Sequence, residues 1–135
     1  MMITVYGRNT SVNVQTVMWC IAELGLDHER LDYGAAFGKT DTAEYRAMNP
    51  NGLVPTIKDG ETVIWESAAI VRYLACKYGD EQFWPRDPGA RAALDMWAEW
   101  MKTTVYPDII STVFMQLVRT AKSARPGQST ARSAS

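Results

Sequence analysis

The sequence predicts an α/β domain built on a mixed sheet, followed by a helical segment, and three observations carry that prediction. Short β-branched or aromatic runs at residues 3–6 and 28–33 flank a stretch in which Val14, Val17, Met18, Ile21 and Ala22 recur at helical spacing. Residues 56–58 and 63–65 are again β-prone, and Asp59-Gly60 between them supplies the positive φ that a tight hairpin needs. Beyond Pro85 and Pro88 the pattern turns wholly helical, with Leu94, Trp97, Trp100 and Met101 on one side. A length of 135 residues allows one domain, or one domain plus a fragment of another.

Each element follows from its local sequence. The first strand ends at Gly7, and the first helix opens at Ser11, an N-cap residue type, and stops at Gly25. Leu31 and Tyr33 share one face of the second strand; residues 34–41 read as loop, and residues 42–48 as a short helix ended by Asn49-Pro50. Pro55 stands at the mouth of the hairpin, where Val54-Pro55 is a candidate cis peptide that turns neighbouring backbone groups outward. Glu66-Ser67 closes the hairpin, and Ala69, Ile70, Tyr73 and Leu74 continue at helical spacing to Tyr78. The order β-α-β-α-β-β-α is the thioredoxin-like arrangement. Open sheets of this kind bind ligands at the carboxyl ends of their strands, so residues 7–13 and Glu66-Ser67 are expected to face one crevice.

The expected divisions are a thioredoxin-like domain over residues 1–79, a linker over 80–88 and a partial all-α domain over 89–121, with Pro107 kinking or restarting its helix. Residues 122–135 lack apolar periodicity and are expected to be disordered.

Composition narrows the function classes. A hydrophobic content of 47% with 21% charged residues describes an ordinary globular protein. The net charge is −1, and Arg119, Lys122, Arg125 and Arg132 follow the last acidic residue, Asp108, with no aromatic residue between them. That reads as a solubilising tail, and no nucleic-acid partner is expected. Cys20 and Cys76 fall on apolar helical positions without a CxxC or a neighbouring histidine, so both are expected to be buried free thiols, and no metal site is predicted. His28, on the second strand, has no carboxylate or nucleophile linked to it by motif. No cationic leader or membrane-length apolar run occurs, and a cytoplasmic setting without a membrane partner is expected.

In the stretch Asn49 to Ile70, the residues Gly52, Val54, Pro55, Asp59, Gly60, Glu66, Ser67 and Ile70 stand in one register that resembles the glutathione-binding half of the glutathione transferases. There a G-x-x-P run precedes a hairpin, and an E-S pair opens the next helix. GRNTSVNVQTV, residues 7–17, resembles the first-strand-to-helix turn of the serine-type phi and theta classes. The resemblance covers roughly residues 1–121, about the first half to two-thirds of a full-length member. The helices that complete the family's second domain, and much of its electrophile pocket, have no counterpart in the sequence.

The resemblance implies glutathione as co-substrate, with its γ-glutamyl ammonium on Glu66 and its α-carboxylate on the hydroxyl and N–H groups of Ser67. Val54, beside Pro55, would offer its backbone to the cysteinyl part like an added strand, and Lys39 would meet the glycine carboxylate. Ser11 would activate the thiol, with Tyr6 as the alternative used in other classes and with Thr10 and Asn13 close enough to substitute. From the residues alone, Ser11 is read first as a plain N-cap, the Glu66-Ser67 pair as readily as a helix cap, and Lys39 as a solvated loop lysine.

Two functions from different classes follow. One is a glutathione transferase that conjugates the glutathione thiolate to small hydrophobic electrophiles in a detoxification role. The other is a non-catalytic binding or interaction module lacking a complete electrophile pocket. A thiol–disulfide oxidoreductase is disfavoured, because Asn9-Thr10-Ser11 opens the first helix where such chemistry needs a cysteine. Trp97 and Trp100 are expected to be core, and an apolar helix of that length on a small domain points to a homodimer, which the resemblance also implies.

Overall fold

A computed structural model describes residues 2–119. The chain divides into two units, Met1–Arg86 and Asp87–Ser135. The first contains β1 (Ile3–Tyr6), α1 (Val12–Leu24), β2 (His28–Leu31), α2 (Ala43–Met48), β3 (Thr56–Asp59), β4 (Thr62–Trp65) and α3 (Ser67–Tyr78). Its sheet has the order β2-β1-β3-β4, with β1 and β2 parallel and the other pairs antiparallel. The thioredoxin-like fold expected from the element order is therefore present.

Strand alternation decides what each face covers. Ile3 and Val5 of β1, with Ile57 of β3, are buried against Val17 and Ile21 of α1 and Ile70 and Leu74 of α3. Tyr6 and Thr56, paired across β1 and β3, lie on the opposite face, where both meet Tyr45 of α2. Helices thus cover both sides of the sheet. The helix boundaries follow from caps: the Ser11 hydroxyl accepts from the Val14 N–H at 3.5 Å, and Gly25 at φ 63° ends α1. Thr42 caps α2 through the Tyr45 N–H.

Four local expectations are corrected. The second strand stops at Leu31, and residues 35–37 form a 3-10 turn inside the loop. Asp59 pairs with Thr62, so it belongs to β3 and the turn is Gly60-Glu61, with the positive φ at Gly60. There the Asp59 carboxylate is buried, accepting hydrogen bonds from Tyr73 (2.8 Å), Tyr78 (2.7 Å) and Lys77 (3.0 Å) of α3. Cys20 is buried, but Cys76 is exposed, because it lies two residues past Leu74 and faces away from the core. Burial raises the Cys20 thiol pKa, which removes it further from disulfide chemistry.

In the second unit, Asp87 caps α4 (Pro88–Trp100) through the Ala90 N–H, with Pro88 in the first turn where its missing N–H costs nothing. The winding then loosens to π-helix over Met101–Val105 and Pro107–Arg119. The Thr112 hydroxyl bonds back five residues to the Pro107 carbonyl. Trp97 and Trp100 contact each other edge-to-face at 5.8 Å but are exposed, at 62% and 51%, contrary to the expectation that they are core. No residue of α4 is buried. The expected tail over residues 122–135 lies outside the described residues.

Candidate active site

The site is built from three backbone turns at one end of the sheet. The first is the β1–α1 turn. Gly7 donates to the Leu31 carbonyl and Arg8 to that of Tyr33, which ties this turn to β2. Arg30 reinforces the tie, its guanidinium donating to the Gly7 carbonyl and to Asp32. A Cβ at Gly7 would collide with Val14 Cγ2 and come within 3.3 Å of Val54 Cβ. Glycine is what lets the second turn lie against the first.

That second turn carries Val54 and Pro55, whose peptide is cis, as the sequence suggested. Pro55 is buried, and Val54 is half-buried between Gly7 and Gly34. The third is the β4–α3 junction. Glu66 stands at the N-cap position of α3 with φ 73° and makes no side-chain capping bond to the helix. A non-glycine residue in the left-handed region is uncommon, and such positions cluster at ligand sites. Ser67 Oγ lies 3.5 Å from Asn13 Oδ1, which brings the start of α3 to the start of α1 across 54 residues of sequence.

Ser11 is buried at the head of α1, with its hydroxyl accepting from Val14 and keeping a proton to donate. Thr10 is exposed. Tyr6 turns away into an aromatic cluster, edge-on to Tyr33 at 5.2 Å and to Tyr45 at 6.3 Å. Burial, then the neighbouring Tyr33 and Glu29, raise its pKa. Lys39, at φ 72°, is exposed; its ammonium donates to the Asp32 carbonyl at 3.2 Å and lies 5.0 Å from the centre of the Tyr33 ring. Ser11, Val54, Pro55, Glu66 and Ser67 therefore share one rim, while Lys39 belongs to the adjoining loop after β2.

Two helix N-termini, two hydroxyls and a carboxylate at one rim can hold an anionic group, pair an ammonium and stabilise a second anion. Residues 1–76 match the family model described as glutathione S-transferase, N-terminal domain. The chain belongs to the glutathione S-transferase family. Over 126 residues this family member is 43% identical to Glutathione S-transferase GstB of Escherichia coli (strain K12), covering 92% of the chain and 60% of that relative. Glutathione S-transferase 3 of Zea mays is 36% identical over 116 residues, covering 84% and 52%. Among solved structures, the theta class glutathione S-transferase from the citrus canker pathogen Xanthomonas axonopodis pv. citri, with glutathione bound, matches with a TM-score of 0.83 at 44% identity. That match covers 91% of this chain and 58% of that one. The chain thus spans no more than 60% of the length of these relatives.

Sequence reasoning missed the side chains beneath the rim. Tyr45 and Asn49 are buried and bond to the residues around Pro55, yet Asn49-Pro50 reads in sequence only as a helix stop. The signal available in sequence was the residue type alone, an amide side chain placed between a helix end and the turn before Pro55. Among the described residues, no helix is long and apolar enough to cross a membrane.

Proposed function

We propose that the chain binds glutathione and conjugates its thiolate to small hydrophobic electrophiles. The observation that carries this reading is the approach of Ser67 to Asn13, which joins the turn bearing Ser11 to the turn bearing Glu66 in one rim. The bound glutathione named for the Xanthomonas relative supports the same ligand.

In this reading Glu66 pairs the γ-glutamyl ammonium, while the Ser67 hydroxyl and the α3 N-terminus take the α-carboxylate. Val54 offers its backbone to the cysteinyl part, and Lys39 reaches the glycine carboxylate. A free thiol titrates near pH 8.5, so little is thiolate at neutral pH. The Ser11 hydroxyl donates to the sulfur anion, and the positive end of α1 adds to it; both favour the charged form and lower the thiol pKa. The thiol proton passes to solvent. The sulfur lone pair then forms a bond to the electrophilic carbon, and a leaving group departs with its electron pair or, in an addition, the adduct takes up a proton. Holding the thiolate beside the electrophile supplies the remaining gain through proximity. Ser11 is favoured over Tyr6 because the Tyr6 ring is engaged by Tyr33 and Tyr45.

The exposed Trp97 and Trp100 favour a second reading, a glutathione-binding interaction module whose α4 face meets a partner. A homodimer and a cytoplasmic setting belong to both readings. Calorimetry with glutathione tests the ligand common to both: binding by the native chain, lost in Glu66→Ala, is expected. The thiol pKa of bound glutathione should rise in Ser11→Ala, and conjugation should fall by about a hundredfold. A folded native chain that binds no glutathione would sink both, and a native chain that binds glutathione yet conjugates no electrophile would leave the module.

A further inference from the structure

Beneath the Val54 turn, two buried side chains converge on one carbonyl. The Tyr45 hydroxyl donates to the Leu53 carbonyl at 2.6 Å, and the Asn49 Nδ2 donates to the same oxygen at 2.9 Å. Both also reach Thr56 Oγ1, at 2.9 and 3.2 Å, so the latch grips the turn immediately before Val54 and immediately after Pro55. Asn49 is itself fixed, its Oδ1 accepting from the N–H and the side-chain amide of Asn51. Tyr45, Asn49 and Thr56 are all at most 3% exposed, whereas Leu53 is 66% exposed and contributes no apolar anchor. The turn at Leu53 is thus held by polar bonds from α2 and its end.

We propose that Tyr45 and Asn49 are positioning residues for glutathione, acting through the peptide plane between Leu53 and Val54. The carbonyl of Leu53 and the N–H of Val54 belong to one planar, trans unit and point in opposite directions. Pinning the carbonyl inward onto Tyr45 and Asn49 therefore aims the Val54 N–H outward, towards the rim where the cysteinyl backbone would accept it. A single bond would leave the plane free to rock, and two convergent donors do not. The inference rests on the proposed role of Val54 in binding glutathione.

Tyr45→Phe removes the hydroxyl and little volume, and Thr56→Val and Thr56→Ser respectively remove and keep the oxygen that Tyr45 and Asn49 share. The dissociation constant for glutathione should rise about three- to tenfold in Tyr45→Phe and in Thr56→Val, the loss expected for a positioned hydrogen bond, and stay near wild type in Thr56→Ser. The thiol pKa of bound glutathione should not move, because Ser11 lies outside the latch; a general loosening of the site would move both. If the native chain binds glutathione and Glu66→Ala abolishes it, yet Tyr45→Phe and Thr56→Val melt at lower temperature with unchanged affinity, the latch is structural and the inference is wrong. If the native chain binds no glutathione, the reading of the site falls and this inference with it.

Discussion

At Gly7 a single missing carbon lets the β1–α1 turn and the Val54 turn lie together. Its φ is not the reason, for it lies outside the positive-φ glycines; the reason is the fully buried Val14 methyl on one side and Val54 on the other. Gly7→Ala is expected to destabilise the first unit by about 1–3 kcal/mol, since Val14 has no solvent into which to swing. It should also weaken glutathione binding, because relief of the clash moves the turn that carries Ser11. A urea melt read beside calorimetry checks both. Gly7 was legible in the sequence as the end of a strand, and Ser11 as an N-cap. That Val14 and Val54 crowd the same point was not, because 40 residues separate them in the chain.

At the scale of elements, the hairpin and α3 are joined by a buried charge. Asp59 ends β3 on the same face as Ile57, opposite α3, and collects Tyr73, Lys77 and Tyr78. Burial alone would raise the Asp59 pKa, but hydrogen bonds from Tyr78, Lys77 and Tyr73 outweigh it and hold the carboxyl below its ordinary value. The bond to Asp59 is also the largest cause of the raised Lys77 pKa. Because the folded state lowers the Asp59 pKa, the unfolded chain binds the proton more readily. Its stabilising contribution is therefore complete above the ordinary carboxylate range and is lost as pH falls through the folded value. Urea midpoints measured from about pH 6 down to about pH 2 should fall for the native chain and fall less steeply for Asp59→Asn. Asp59→Asn should also be less stable at neutral pH by about 2 kcal/mol, the scale of hydrogen bonds to a charged group. In sequence, Asp59-Gly60 carried the hairpin signal, and that signal masked the carboxylate's second role. Turn chemistry is local, whereas the partners of Asp59 stand 14 to 19 residues later.

For the whole molecule, the two units differ in how well they bury their own apolar side chains. The first encloses a core in which Val5, Val14, Val17 and Ile70 are fully buried. In the second, Leu94, Met96, Trp97, Trp100 and Ile109 are each at least 45% exposed. Apolar surface of that extent is characteristic of interaction sites. A homodimer through the second unit is the expected outcome in sedimentation velocity, and Trp97→Glu with Trp100→Glu should shift it to monomer while leaving glutathione affinity unchanged. A native chain that sediments as a monomer at every concentration tested would remove the homodimer.

The sequence by itself determined the element order, the hairpin, the cis-capable Val54-Pro55 step and the residue types at the rim. These depend on neighbours within a helical turn or a strand, where spacing and φ preferences act directly. Only the tertiary structure decided that Tyr6 turns into an aromatic cluster and leaves Ser11 at the head of α1, and that Cys76 faces outward. It also decided that Tyr45 and Asn49 grip the Leu53 carbonyl from below. Those outcomes depend on which face of one element meets which face of another, and the number of such pairings is settled by packing the whole sheet between its helices.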